Sequence, residues 1–220
     1  MVTVMTDVNC LLAGLIRLIT PLLLLILWYK KTGARLFPAP VAFLICFPVF
    51  ILGAAIRSGF GQDDPFAYYI QQGLLYGILE EGTKYLVLCF LLTSYDSRKD
   101  AVTYGIGHGA YEAFGAGMAC FGLIGLDAAA PDILWMNLWM AVEAAAFCIG
   151  LTVLIFYGIY TSNSKVMLPV AILLHAVSNA VGGILIEFIV IPIRTLLTAG
   201  ICFAAYRCWQ EMGTPYEGEA

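Results

Sequence analysis

Residues 74–92 read LLYGILEEGTKYLVLCFLL, a stretch that sets Glu80, Glu81 and Lys84 among otherwise mostly apolar neighbours. At the centre of a membrane helix an ionisable side chain costs roughly 2.5–3.5 kcal/mol on insertion scales. Three of them together need a reason. Lys84 follows Glu80 by four positions with the acid N-terminal, the better orientation for a helical ion pair. Lys84 is therefore expected to neutralise Glu80, while Glu81 points about 100° away around the helix. One lysine cannot satisfy both carboxylates, which argues against a purely structural pair.

The surrounding composition says what the solvent is. The 220 residues are 61% hydrophobic and only 12% charged, with a mean hydropathy of +0.89, values that place the chain in lipid. The net charge of −4 comes without a basic cluster, which sets nucleic acid aside as a partner and leaves membrane lipid. The seven cysteines are scattered and never in a CxxC spacing, so they read as packing residues rather than a disulfide framework.

A membrane-crossing helix needs about 20 apolar residues, and the turn signals divide the chain into about seven such segments. They run over Val8–Tyr29, Pro40–Ile56, Phe66–Ser94, Ala101–Leu126, Ile133–Tyr160, Val166–Glu187 and Ile189–Tyr206. The breaks are KKTGARLFPAP, RSGFGQDDP, SYDSRKD, LDAAAPD and TSNSK, and a short turn marked by Pro192 separates the last two. The expected fold is an all-α, polytopic membrane helix bundle, one integral-membrane domain over residues 1–220 with residues 208–220 as a short mobile tail. Lys30, Lys31, Arg35, Arg98, Lys99, Lys165 and Arg207 collect on one side of the alternating loops, against Arg57 on the other. By the positive-inside rule the N-terminus is expected outside and the C-terminus in the cytoplasm.

Two further segments carry polar residues into spans. The fourth contains TYGIGHGAYEAFGAG, in which His108 and Glu112 share one face and Gly105, Gly107, Gly109, Gly115 and Gly117 allow close helix approach. The sixth contains LLHAVSNAVGG, with His175 and Asn179 four apart. Both histidines of the chain therefore lie in spans. At 1.5 Å per residue from the cytoplasmic ends, Glu80 and Glu81 lie roughly 20 Å deep, His108 and Glu112 roughly 10–17 Å, and His175 and Asn179 roughly 14–20 Å. The three helices can meet at one level, where polarity is tolerated because it lines a water-filled cavity.

Such a cluster holds the parts of a hydrolase: a carboxylate to take a proton from water, histidines to polarise a carbonyl or donate to a leaving amine, and an amide for a developing oxyanion. Glu80, His108 and His175 could instead ligate a divalent metal such as zinc. A proton-coupled transporter is an alternative, since intramembrane Glu/His/Lys clusters also relay protons, as is a catalytically idle scaffold or immunity-type protein. No repeated half of the kind many transporters show is evident.

The ordered set Glu80-Glu81-Gly-Thr-Lys84, Tyr104-Gly-Ile-Gly-His108 and His175-Ala-Val-Ser-Asn179 resembles the glutamate/histidine intramembrane proteases. That superfamily includes the type II CAAX prenyl endopeptidases, the bacteriocin-processing Abi (CPBP) proteins and the PrsW-like proteases. The form GIGHGAYEA with Glu112 is most similar to the YhfC-like branch of bacterial intramembrane metalloproteases. The resemblance implies a multi-pass protein of the bacterial cytoplasmic membrane that cuts a membrane-associated peptide or protein. It also implies that Glu80 activates water with His108 and that His175 and Asn179 hold the oxyanion, with Glu81 as the other candidate base and Lys84, Tyr104 and Glu112 in support. The basic residue comes four positions after the first glutamate, as in PrsW-like sequences, where prenyl proteases have arginine at five; this points away from prenylated substrates.

The remaining polar residues read as structural. Arg17 and Glu143 are expected to pair, Glu187 and Arg194 to snorkel near the outer ends of their spans, and Tyr68, Tyr69, Trp135 and Trp139 to form an interfacial belt.

Overall fold

The computed structural model describes residues 2–126, 134–185 and 187–213. Those residues form seven α-helices and no strand: α1 Val2–Thr32, α2 Pro38–Arg57, α3 Pro65–Leu86, α4 Arg98–Gly122, α5 Leu134–Tyr160, α6 Ser164–Ile184 and α7 Glu187–Glu211. A π-helical turn over Val87–Leu91 extends α3. Five of the helices, α1, α2, α5, α6 and α7, are long and apolar enough to cross a membrane. The other two, α3 and α4, fall short in apolarity, and they carry the Glu80–Lys84 and His108–Glu112 groups.

The reason α4 need not be apolar is its place. Every residue from Asp100 to Gly109 is buried, as expected of a helix with neighbours on all sides. It packs on α1, α2 and α5, while α3 packs chiefly on α6 and also meets α2 and α5. Glycine makes both arrangements close. A Cβ at Gly107 would lie 2.1 Å from the Ala39 carbonyl oxygen of α2, and one at Gly77 would lie 2.7 Å from that of Ile172 in α6. Gly105 and Gly109 likewise face the α5 backbone, whereas Gly115 faces open space.

Local chemistry fixes where α3 and α4 begin. Asp64 caps α3 by accepting from the Phe66 and Ala67 amides at 3.0 and 3.3 Å, with Pro65 in the first turn. Ser97 and Asp100 form a capping box at the start of α4. The Asp100 carboxylate also pairs with Arg35, whose guanidinium lies 4.6 Å over the Tyr95 ring and donates to the Ser94 carbonyl at 2.7 Å. Lys99 donates to the Thr32 carbonyl at 2.8 Å. The loop before α4 is thus tied to the end of α1, which sets the register at which His108 stands.

Two boundaries and one pairing differ from the sequence expectation. The break between the last two helices falls at Leu185, and Pro192 lies inside α7, in its second turn, where the helix forgoes the one backbone hydrogen bond that the missing amide would have made. The tail begins later than residue 208, because α7 continues to Glu211: Trp209 packs edge-on against Trp28 at 5.9 Å, and Arg98 lies over the Trp209 ring and donates to its carbonyl at 2.7 Å. Residues 214–220, most of the LDAAAPD break and the side chains of Trp135 and Glu187 lie outside the described residues. Arg17 and Glu143 do not pair. Arg17 donates to Asn137 at 2.9 Å, in the first turn of α5, roughly 9 Å short of Glu143 along that helix. Glu143 instead faces α7, where it lies 3.8 Å from Arg194 and accepts from Thr198 at 3.2 Å.

Candidate active site in the middle of the bundle

The polar residues singled out from three helices meet. Glu80 from α3 is the point of convergence: His108 Nε2 of α4 lies 3.0 Å from its Oε2, and His175 Nε2 of α6 lies 3.7 Å from the same atom. Both imidazoles are buried, and the Glu80 side chain is 16% exposed. It is the more accessible of the paired glutamates, since Glu81 has no exposed surface.

Lys84 serves the other glutamate from the one expected. Its ammonium donates to both oxygens of Glu81, at 2.9 and 2.8 Å, as an i,i+3 pair. Helix geometry permits either partner. What selects Glu81 is burial: both side chains face protein, where an unpaired charge is far costlier than near an opening.

Glu81 in turn orients His175. Its Oε1 lies 2.7 Å from His175 Nδ1, and a carboxylate already held by an ammonium can only accept. His175 therefore donates from Nδ1 and turns Nε2 toward Glu80, a contact that, like that of His108, requires a proton on the nitrogen or a cation beside it. Phe147 packs edge-on against the ring at 5.5 Å.

His108 has a partner that the sequence did not reveal. Cys46 Sγ of α2 lies 3.6 Å from His108 Nδ1 and 3.1 Å from the Ala42 carbonyl. Cys46 sits in an ordinary apolar run, and only the α2–α4 packing brings it to the histidine. The 3.0 Å contact between His108 Nε2 and the Glu80 carboxylate requires a proton on that nitrogen or a cation beside it.

A cation has a place. One ligand atom from each of Glu80, His108 and Glu112 lies within 4.8 Å of the others, two carboxylates and an imidazole, a set suited to zinc or a similar divalent ion. This differs from the grouping of Glu80, His108 and His175 expected from sequence. Glu112 takes the third position because it lies one turn beyond His108 on the same face of α4. His175 stands beside the group, with its Nε2 toward Glu80. Glu112 is exposed, so the cluster is open on that side. Asn179 is also exposed, one turn beyond His175 on α6.

The fold and this cluster define a class: a multi-pass helical membrane protein with a buried Glu/His site that could hold a metal. Residues 21–125 match the family model described as YhfC intramembrane metalloprotease. The match covers Glu80, Glu81, Lys84, Tyr104, His108 and Glu112 and ends before His175 and Asn179. No curated protein and no solved structure matches the chain.

Proposed function

We propose that the protein is an intramembrane endopeptidase that hydrolyses a peptide bond of a membrane-associated substrate, and that it belongs with the wider glutamate/histidine intramembrane proteases. The convergence of both histidines on Glu80 Oε2 carries this reading. Glu80 takes the proton of the attacking water and passes it to the leaving amide nitrogen. His175 turns its Nε2 on the same point and is held in that orientation by Glu81, which is paired with Lys84; Glu81 therefore positions, and Glu80 is the base. Asn179 makes no hydrogen bond with the described residues, so its amide is available to the developing oxyanion. Glu80, His108 and Glu112 would hold a divalent metal, which when bound supplies Lewis acidity toward the peptide carbonyl and water.

The end of the bundle that carries Lys30, Lys31, Arg35, Arg98, Lys99, Lys165 and Arg207 faces the cytoplasm in this reading, by the positive-inside rule. Labelling of a cysteine at position 98 from the outside only would reverse that orientation.

Purified protein in liposomes, supplied with zinc and apolar helical peptides in H₂¹⁸O, should release fragments whose new carboxylate carries ¹⁸O, and Glu80→Gln protein should not. Proton or solute flux through parent liposomes without any cleavage would replace the protease with a transporter.

A further inference from the structure

One turn before His108 along α4 the structure contains a small cavity of about 10 Å³ whose walls include Cys46, Glu80, Thr83, Lys84, Tyr104 and His108, with Val49 beside them. That is about the room one water occupies. Tyr104 has no exposed surface, and its hydroxyl has no hydrogen-bond partner among the described residues. A buried hydroxyl left unpaired costs about 1–3 kcal/mol. Tyr104 precedes His108 by one turn on α4, so the two side chains share a face.

The other walls supply the partners a water needs. Lys84 spends two of its three protons on Glu81 and has one left. Glu80 offers a carboxylate, and Cys46 offers a sulfur that accepts weakly. Thr83 and His108 complete the polar wall, and these groups include the two donors and two acceptors that the two lone pairs and two protons of one water molecule require.

We propose that this cavity is the binding site of one ordered water, which accepts from the Tyr104 hydroxyl and the Lys84 ammonium and donates to the Glu80 carboxylate and Cys46 Sγ. Tyr104 is then a positioning residue: through the water it holds the rotamer of Glu80, on which both histidines converge. The water is separate from the one consumed in hydrolysis, which enters from the open Glu112 side. Only the kinetic consequence rests on the peptidase reading; the site itself does not.

Two variants remove the water differently. Tyr104→Phe deletes the hydroxyl and keeps the ring, whereas Val49→Ile adds a methylene to the wall and fills the space with the phenol intact. Structures at a resolution that shows ordered water should reveal a density peak in the parent cavity that is missing from both variants. Both lose the same bridge, so the double variant should unfold no more easily than the weaker single, a non-additivity expected of residues sharing one partner. Each single variant should lower kcat roughly 10–100-fold, as loss of an outer hydrogen-bond partner does, with KM changed by less than about twofold. An empty parent cavity, a peak retained in Tyr104→Phe, or additive losses of stability would overturn the proposal. If the parent cleaves no peptide, the density and stability measurements still decide the water site, and only the peptidase reading fails.

Discussion

Replacing Lys84 with methionine should destabilise the protein through Glu81 and not through Glu80. The ammonium lies 2.8 Å from Glu81 Oε2, and the two side chains are 1% and 0% exposed. At an effective dielectric of about 20 and that separation, the attraction is about 6 kcal/mol. Desolvation of both groups offsets part of it, so removing one partner from such a pair costs about 3–5 kcal/mol. His175 Nδ1 would still donate to the stranded carboxylate, which places the loss toward the lower end. Deleting both charges together in Glu81→Gln/Lys84→Met should recover most of it, with a coupling energy of about 3 kcal/mol. Glu80→Gln should restore much less of the loss than Glu81→Gln does, because the ammonium is ion-paired directly with Glu81. Equilibrium unfolding in mixed SDS–detergent micelles, followed by helical circular dichroism, measures all of these. The assignment of the ion pair is wrong if Lys84→Met is as stable as the parent, or if Glu80→Gln is the change that restores it.

Glu80→Gln keeps the shape of the site and removes the base, so hydrolysis should fall by roughly 10²–10⁴-fold while the unfolding transition stays near that of the parent. Asn179→Ala should lower turnover by roughly 10²–10³-fold with substrate binding little changed, because the amide matters mainly as negative charge develops; equal losses in binding and turnover would count against an oxyanion role. His108→Ala and Glu112→Gln should each reduce stoichiometric zinc in elemental analysis, whereas His175→Ala should reduce it less, since His175 is outside the Glu80–His108–Glu112 group. Gly107→Ala sets a Cβ 2.1 Å from a backbone oxygen of α2; the forced separation should cost about 1–3 kcal/mol in the same unfolding assay, and an unchanged transition would show that α2 and α4 do not pack this closely.

Hydrophobic length and turn chemistry are local properties, so the sequence by itself settled an all-helical membrane chain and put seven helices nearly where they stand. It also brought out Glu80, Glu81, His108, Glu112 and His175, because ionisable residues inside apolar runs stand out against the cost of placing them there. The partners of those residues were decided elsewhere. Lys84 is within reach of either glutamate along the helix, and the choice of Glu81 follows from which side of α3 is sealed against its neighbours. Glu143 pairs with α7 and not with Arg17, because the relative height of α1 and α5 has no signature in either segment. Cys46 meets His108 only because glycine at position 107 lets α2 close on α4. Glu112 replaces His175 in the candidate metal group for the same kind of reason: spacing along one helix fixes a face, and distances between faces of different helices are set by how side chains from the whole bundle pack.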